Sequence, residues 1–498
     1  MKLEEVLSGI PVVEAPAADP DVTGIAYDSR AVKPGDCFVA IPGAHTDGHR
    51  YVEVALRDGA SAALVQRRVG TAWPQVEVRD TRQALALASS NFYQQPTRAL
   101  RLVGVTGTDG KTTTSIMLHR ILMNAGVPAG AITTVDVRIK DAVETNDSRQ
   151  TTPEAPEIQA LLARMRGEGV QCVVLETSSH GLALQRVTGC QYDVAVFTNI
   201  AHEHLDFHKT EAAYREAKAR LIDLTAASVD KGIPKTAVLN RDDPSYPYLA
   251  QRRIAQQLTY GIQLDADLKA TRVEASPKGV RFEAVTPSGP LEVGLRLGGR
   301  WNVYNALAAA GAALVLDLPL DIIKTGLESL ETVTGRMEAI DVGQPYSVVI
   351  DYAHTPQSLE KVLRELRPVT SGRLIAVFGS AGERDREKRA WMGEIAARLA
   401  DYAVFTNEDP REEAPRQVID EIAAGAEEVG WRSGSNYVSI EDRGEAIAHA
   451  VAKAQPGDTL LLAGKGHERS IFIGRDKHPW DERAAAEAAI RRRLKTSG

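Results

Sequence analysis

Three glycines, a lysine and a run of hydroxyls are packed into Gly104-Val-Thr-Gly-Thr-Asp-Gly-Lys-Thr-Thr-Thr114, and that mixture suits the wrapping of a polyphosphate. Gly107 and Gly110 let backbone N–H groups close around phosphate oxygens. The helix start that follows adds the positive end of its dipole, and Lys111 adds a point charge. The hydroxyl of Thr112 is of the kind that meets a phosphate-bound Mg²⁺. The spacing departs from the usual phosphate-loop pattern, because the position five before Gly110 is Val105. Gly107, Thr108, Asp109, Gly110, Lys111, Thr112 and Thr113 are therefore the expected ATP-binding run. The bland alternative is a glycine-rich strand–helix turn with no ligand.

Other polar groups gather where apolar runs stop. Glu176 follows Val170-Gln-Cys-Val-Val-Leu175 and opens Glu176-Thr-Ser-Ser-His-Gly181; a carboxylate at that end of a strand faces a nucleotide-bound metal in phosphate-loop sheets. Asn199-Ile-Ala-His-Glu-His-Leu-Asp-Phe-His208 puts three histidines and two carboxylates into ten residues, a density that suits metal or phosphate contacts as well as it suits a solvated polar loop. Lys218, inside a helical pattern from Glu211 to Leu224, reads by itself as a solvated charge. Further along, Asp351-Tyr-Ala-His-Thr-Pro356, Ala381-Gly-Glu-Arg-Asp385, Asn407-Glu-Asp-Pro-Arg411 and Gly464-Lys-Gly-His-Glu468 each follow an apolar run. Asp351 and His354 could reach a nucleotide. The last three loops, converging at one sheet edge, would hold a small zwitterion, guanidinium on carboxylate and carboxylate on ammonium.

The elements that must position these groups alternate in type. Residues 1–97 show short strand- and helix-like segments at Val22–Tyr27, Asp36–Ile41, Tyr51–Asp58, Ala62–Gln66 and Thr81–Tyr93, closed by a linker at Gln94-Gln-Pro-Thr97. Residues 98–332 begin with a strand at Arg101–Val105 and a helix from Thr112 to Asn124. They continue with strands ending at Leu175 and Phe197, a strand-rich patch from Leu268 to Leu297, and an Ala-rich helix from Val303 to Leu316. Residues 333–498 carry strands at Ser347–Ile350, Leu374–Phe378, Tyr402–Phe405 and Thr459–Ala463, a Rossmann-like pattern. The expected fold class is α/β in three domains: a central phosphate-loop ATPase with a largely parallel sheet, preceded by a smaller domain and followed by a Rossmann-like one.

Composition narrows the function classes. A chain of 498 residues that is 43% hydrophobic and 25% charged has ample core for several domains. Its net charge of -7, with both signs interspersed, advertises no nucleic-acid surface. No apolar run spans a bilayer and the first residues lack a signal-peptide core, so a cytoplasmic protein without membrane partners is expected. Cys37, Cys172 and Cys190 show no metal spacing and read as reduced packing residues.

The ordered set Gly107-Thr-Asp-Gly-Lys-Thr-Thr113, Glu176-Thr-Ser-Ser-His-Gly181, Glu203-His-Leu-Asp-Phe-His208, Asn302-Val-Tyr-Asn305, Gly335-Arg-Met-Glu338 and Asp351-Tyr-Ala-His-Thr-Pro356 resembles the Mur ligases, and among them the tripeptide-forming MurE type. The resemblance extends to Asp28-Ser-Arg30 and Pro42-Gly43…Asp47-Gly-His49 and covers essentially the whole chain. It implies a uridine-nucleotide domain (1–97), a central ATPase (98–332) and an amino-acid-delivering domain (333–498). It also implies a reaction in which ATP activates the D-glutamyl carboxylate of UDP-MurNAc-L-Ala-D-Glu as an acyl phosphate that a diamino acid attacks. Domain closure would keep water from the acyl phosphate. By the same resemblance Lys111, Lys218 and His204 are catalytic, and Thr112, Glu176, His204 and Lys218, the last as a carbamate, contact Mg²⁺. Asn305, Arg336 and Asp351 would face ATP. Ser29 and the stretch 43–47 would contact uridine, while Thr151, Thr152, Ser178 and Arg186 would hold the sugar dipeptide. The family often has a glutamine two residues before that arginine; here the position is Leu184 and the glutamine is Gln185. A monomer is the expected state.

Arg384, Glu408, Asp409, Pro410, Arg411, Gly464 and Glu468 are the expected contacts of the incoming amino acid. The diaminopimelate-adding subgroup usually carries Asp-Asn-Pro-Arg where this chain has Glu408-Asp409-Pro410-Arg411. Asp409 adds negative charge to a pocket that must accept a carboxylate, which favours lysine or ornithine, whereas Arg411 and the Gly464…Glu468 pair suit meso-diaminopimelate. Both acceptors stay open at this stage. A folylpolyglutamate-synthase-like ligase is disfavoured by the uridine-nucleotide domain. A catalytically dead nucleotide-binding regulator is disfavoured by the joint presence of Lys111, Glu176, His204 and Lys218.

Overall fold

The computed structural model describes residues 1–43, 46–70, 74–146, 148, 150–201, 203–276, 279–383 and 385–497. The chain divides into two compact units. The first comprises 1–269, 285–291 and 304–327, and the second 270–284, 292–303 and 328–498.

The first unit holds two sheets. The smaller orders its strands Val12–Glu14, Gln75–Val78, Ala62–Val65, Asp36–Val39 and Gly24–Ala26, parallel apart from the first. The larger runs Gln256–Gly261, Thr236–Asn240, Val194–Phe197, Arg101–Thr106, Cys172–Glu176 and Ala129–Ile132 in parallel. Strands buried on both faces read as unbroken apolar runs, and Val194–Phe197 and Cys172–Leu175 are of this kind. Two antiparallel strands, Asp136–Ile139 and Ala142–Thr145, extend its edge. They were not anticipated, because a hairpin of such short strands leaves almost no periodicity to read. Cys37, Cys172 and Cys190 are buried in this unit, and burial pushes each thiol up to about 12.

Register decides what meets at the sheet's working edge. Glu176 pairs with Val105 and Phe197 with Thr106, so the last residues of the three central strands lie side by side. The phosphate loop leaves from the middle one. The strand-rich patch resolves into strands Leu268–Ser276, Gly279–Thr286 and Gly289–Leu295, and the Ala-rich helix spans Trp301–Val315.

The second unit is built on a sheet ordered Glu338–Ile340, Ser347–Asp351, Thr459–Ala463, Leu374–Phe378, Tyr402–Phe405 and Tyr437–Ser439. All neighbours are parallel except the first pair. Asp351 pairs with Ala463 and Phe378 with Phe405, so the loops after these four strands emerge at one edge. Among the described residues no helix is long and apolar enough to cross a membrane.

Candidate active site

The phosphate loop is held by its own glycines. Gly110 sits at φ 82 immediately before the helix Lys111–Asn124, and a Cβ there would lie 2.2 Å from Asn305 Oδ1. A Cβ on Gly107 would lie 1.8 Å from Thr198 Oγ1. No larger residue fits either position. Asn199 braces the loop from the next strand end. Its carbonyl accepts the Thr108 N–H (2.8 Å), its Oδ1 accepts the Asp109 N–H (3.0 Å), and its Nδ2 donates to the Asp109 carbonyl (3.1 Å). Thr114 Oγ1 lies 3.4 Å from Asn305 Oδ1, so this expected nucleotide residue does adjoin the loop. Lys111 turns back over the loop and donates to the carbonyls of Gly107 (3.1 Å) and Thr108 (2.7 Å).

Glu176 is 1% exposed and is surrounded by hydroxyls. The Thr112 hydroxyl donates to its two carboxylate oxygens at 3.1 and 3.0 Å, and the Thr134 N–H donates to Oε2 at 2.8 Å. The Thr134 hydroxyl lies 3.0 Å from both Glu176 Oε1 and Thr151 Oγ1. A carboxylate and a hydroxyl are hard oxygen donors of the type Mg²⁺ prefers, so Thr112 and Glu176 fit that ion. Thr151 and Thr152 adjoin the same cluster. Thr152 donates to the Glu176 carbonyl (2.9 Å) and accepts the Ser178 N–H (2.9 Å), while Ser178 caps the short helix Ser179–Ala183. Arg186 donates to the Thr152 carbonyl (2.9 Å) and pairs with Glu154 (2.7 Å). The expected dipeptide residues are thus linked to Glu176, Thr152 directly, Ser178 and Arg186 through Thr152, and Thr151 through Thr134.

Lys218 is 1% exposed, which corrects its reading as a solvated helix charge. The helix Glu211–Ala227 buries Tyr214, Ala217, Lys218, Leu221, Ile222 and Thr225 along one side, and Ala219 beside them. That is an i, i+3, i+4, i+7 stripe, and Lys218 falls within it, a signal present in the sequence. Its Nζ donates to the Gly107 carbonyl at 2.6 Å and stands 4.6 Å from the centre of the Tyr214 ring. Burial, and next the Lys111 charge, hold this amine well below the usual lysine range. Nearby, burial raises the Glu203 carboxyl above its ordinary value.

His204, at φ 55, has its Nε2 3.6 Å from Glu203 Oε2, and its ring packs against His180 at 4.8 Å between centroids. His208 packs against Tyr214. His202 lies outside the described residues. Among the described residues no set of three His, Cys, Asp or Glu side chains is arranged to hold a metal ion. Ser29 begins a short 3₁₀ turn capped by Asp28, whose carboxylate also pairs with Arg30. Asp47 accepts the His49 N–H and ring Nδ1 and pairs with Arg67, which hold its carboxyl well below the usual range. Gln185, at φ 58, donates to Asp80 Oδ2 (2.5 Å), the carboxylate that caps the helix Thr81–Phe92.

In the second unit, Asp351 accepts the N–H groups of Met337 and Ala353 (both 2.9 Å) and so braces the turn that carries Arg336. The Arg336 guanidinium lies over the Tyr352 ring at 4.8 Å. Tyr352 also packs on His354 and His467 and donates to Glu468 Oε1 (3.2 Å). Burial, and then nearby positive charges led by Arg336, pull His467 down to about 3. The loop Glu408-Asp409-Pro410-Arg411 meets Gly464 and Glu468 at the same sheet edge. A Cβ on Gly464 would lie 3.0 Å from Glu408 Oε2.

Glu408 is 5% exposed, and burial pushes its carboxyl up to about 7. Its Oε2, with Asn407 Oδ1 and Ser380 Oγ, has no hydrogen-bond partner among the described residues. The charge argument from Asp409 needs correction. Its Oδ1 lies 3.0 Å from Lys465 Nζ and accepts the Phe472 N–H (2.9 Å), so the added negative charge is met by a buried ammonium. Arg411, at φ 54, is fixed by main-chain bonds to Phe472 and Gly474. Arg384 lies outside the described residues. Lys465, Asn199, Tyr214 and Thr134 were missed as single residues, because their contacts with Asp409, Asp109, Thr108 and Glu176 join positions distant in sequence.

Comparison with known proteins agrees along the whole chain. Residues 21–93 match the catalytic domain of the Mur ligase family, 105–313 the Mur ligase middle domain, and 335–466 the Mur ligase glutamate ligase domain. A UDP-N-acetylmuramyl-tripeptide synthetase of Roseiflexus sp. (strain RS-1) is 47% identical over 98% of this chain and 99% of its own. A UDP-N-acetylmuramoyl-L-alanyl-D-glutamate–2,6-diaminopimelate ligase of Bacillus licheniformis is 44% identical over 98% of this chain and 99% of its own. A solved structure of a ligase with that same name superposes with a TM-score of 0.71 at 31% identity, covering 99% of both chains. With a phosphate loop, a hydroxyl-ringed glutamate and a buried lysine already in place, the chain belongs to the Mur ligase family, ATP-dependent ligases that form amide bonds on a three-domain α/β fold.

Proposed function

We propose that this chain adds a diamino acid, meso-diaminopimelate, to the D-glutamyl carboxylate of UDP-MurNAc-L-Ala-D-Glu in the building of peptidoglycan precursors. The names of the relatives that match it from end to end support the reaction. The observation that carries the acceptor is the ion pair between Lys465 and Asp409. It removes the electrostatic reason to prefer a purely basic acceptor and leaves Arg411 to meet a distal carboxylate.

In the proposed sequence a carboxylate oxygen of the dipeptide takes the γ-phosphoryl group of ATP, and ADP leaves. The acceptor amine then attacks the acyl carbon, phosphate departs with the C–O bond, and the amine proton passes to solvent. Magnesium, when bound, offsets the repulsion between the two anions that must meet. Lys111 stabilises the transferring phosphoryl group, and the loop N–H groups orient the phosphates. Thr112 and Glu176 would hold the metal, with His204 as a further contact. Asn305, Arg336 and Asp351 serve the nucleotide, and Ser29, Thr151, Thr152, Ser178 and Arg186 the UDP-sugar dipeptide.

Lys218 is proposed to work as a carbamate. Its depressed basicity leaves a neutral amine whose nitrogen can attack CO₂, releasing a proton and creating a carboxylate-like group at the loop. Domain limits at 1–97, 98–332 and 333–498, a monomeric state and a cytoplasmic site of action complete the proposal.

Phosphate release tests it, measured with UDP-MurNAc-L-Ala-D-Glu, ATP and each of meso-diaminopimelate, lysine and ornithine. Release is expected with diaminopimelate. Release only with a folate and glutamate would replace the reading with a folylpolyglutamate-synthase-like one, and no release with any acceptor would make the chain a regulator.

A further inference from the structure

The Lys465 side chain, at the acceptor edge, is fully buried, 0% exposed. Its Nζ lies 3.0 Å from Asp409 Oδ1 and 2.5 Å from Glu468 Oε2. Those two carboxylates come from different strand-end loops, 56 positions apart from Lys465 in one case and three in the other. Asp409 is 12% exposed in its side chain and Glu468 33%, so the second carboxylate is the more exposed of the two. Glu468 is further tied to the Tyr352 hydroxyl, and Asp409 to the Phe472 N–H. Beside them stands Glu408, with one carboxylate oxygen unpartnered among the described residues. Lys465 therefore joins two carboxylates, and the third, Glu408, feels Lys388 first and Lys465 next. A buried ion pair adds little to stability but fixes which charges face a ligand.

We infer that Lys465 is a positioning and specificity-determining residue, whose charge offsets Asp409 and thereby lets the pocket accept an amino acid bearing a distal carboxylate. This rests on the acceptor reading proposed above. Removing the ammonium leaves one more uncompensated negative charge, which repels a distal carboxylate and attracts a distal ammonium. Removing the Asp409 charge does the opposite. Removing both returns the balance to its starting point, although two contacts have been lost. A merely structural role for Lys465 would not produce that reversal.

The test compares kcat/KM for meso-diaminopimelate with that for L-lysine in the full-length wild-type chain and in Lys465→Met, Asp409→Asn and the double variant. Relative to wild type, the preference for diaminopimelate is expected to fall about tenfold in Lys465→Met and to rise several-fold in Asp409→Asn. The double variant should return to within about threefold of wild type. Should Lys465→Met fail to fold, Asp409→Asn and the charge-balanced double variant still decide the matter. A preference unchanged in Asp409→Asn, or a double variant as shifted as a single one, overturns the inference while wild-type turnover leaves the proposed reaction standing. Wild-type turnover with neither acceptor overturns both together.

Discussion

The nucleotide loop and the acceptor loops solve recognition in opposite ways. At Gly107–Thr113 one continuous run supplies most of the site, and the backbone does the work: two glycines that tolerate no Cβ, a helix start, and a lysine folded onto its own carbonyls. At the acceptor edge the site is a set of side chains from three separate loops, and its character comes from charges that cancel across them. A ligand with invariant phosphates permits a fixed main-chain cradle. A ligand that differs among relatives calls for a pocket whose charge can change one side chain at a time.

The contrast breaks most visibly at Lys218, where a side chain locks onto the loop's backbone. Lys218→Ala is expected to lower kcat by about 10³-fold, with partial return on adding small carboxylic acids. A loss under about tenfold, read from phosphate release, would remove it from the machinery. Next in size, Gly110→Ala places a Cβ against Asn305 and should weaken ATP binding by about 10²-fold by calorimetry. A nearly unaltered affinity would mean that the cradle is not made by the main chain.

Glu408→Gln sharpens the other half of the comparison. Burial raises this carboxyl from 4.5 to about 7, so the folded chain binds more protons than the unfolded one between those values. Stability therefore falls as pH rises through that window. The glutamine variant should lack that fall and exceed wild type above pH 7 by roughly 2–3 kcal/mol in denaturant titrations; parallel pH profiles would argue against a buried charge there. The smallest effect is expected of Gln185→Ala, which loses its bond to Asp80 and about 1–2 kcal/mol of stability. Its KM for ATP should not move.

The same contrast governs how much could be read from the chain alone. The strands Leu374–Phe378, Tyr402–Phe405 and Thr459–Ala463 were expected to the residue, because each is a short apolar run bounded by polar loops and buried on both faces. The phosphate loop was legible because its parts are contiguous. Lys218 was named through family resemblance, yet its burial was missed because its charge outweighed its place in an apolar stripe. The Asp409 argument was incomplete because Lys465, 56 positions away, sits beside it only in the folded chain. Gln185 and Asp80, 105 positions apart, illustrate the same limit.

The placement of sulfur gives the molecule a built-in reporter. Every cysteine belongs to the unit that carries the phosphate loop, and each thiol is sealed from water with almost no thiolate at neutral pH. An alkylating reagent can react only when that half opens, and it is blind to the half that carries the acceptor loops. Labelling rates measured with and without nucleotide would thus time the breathing of one half alone, with no dye or engineered label.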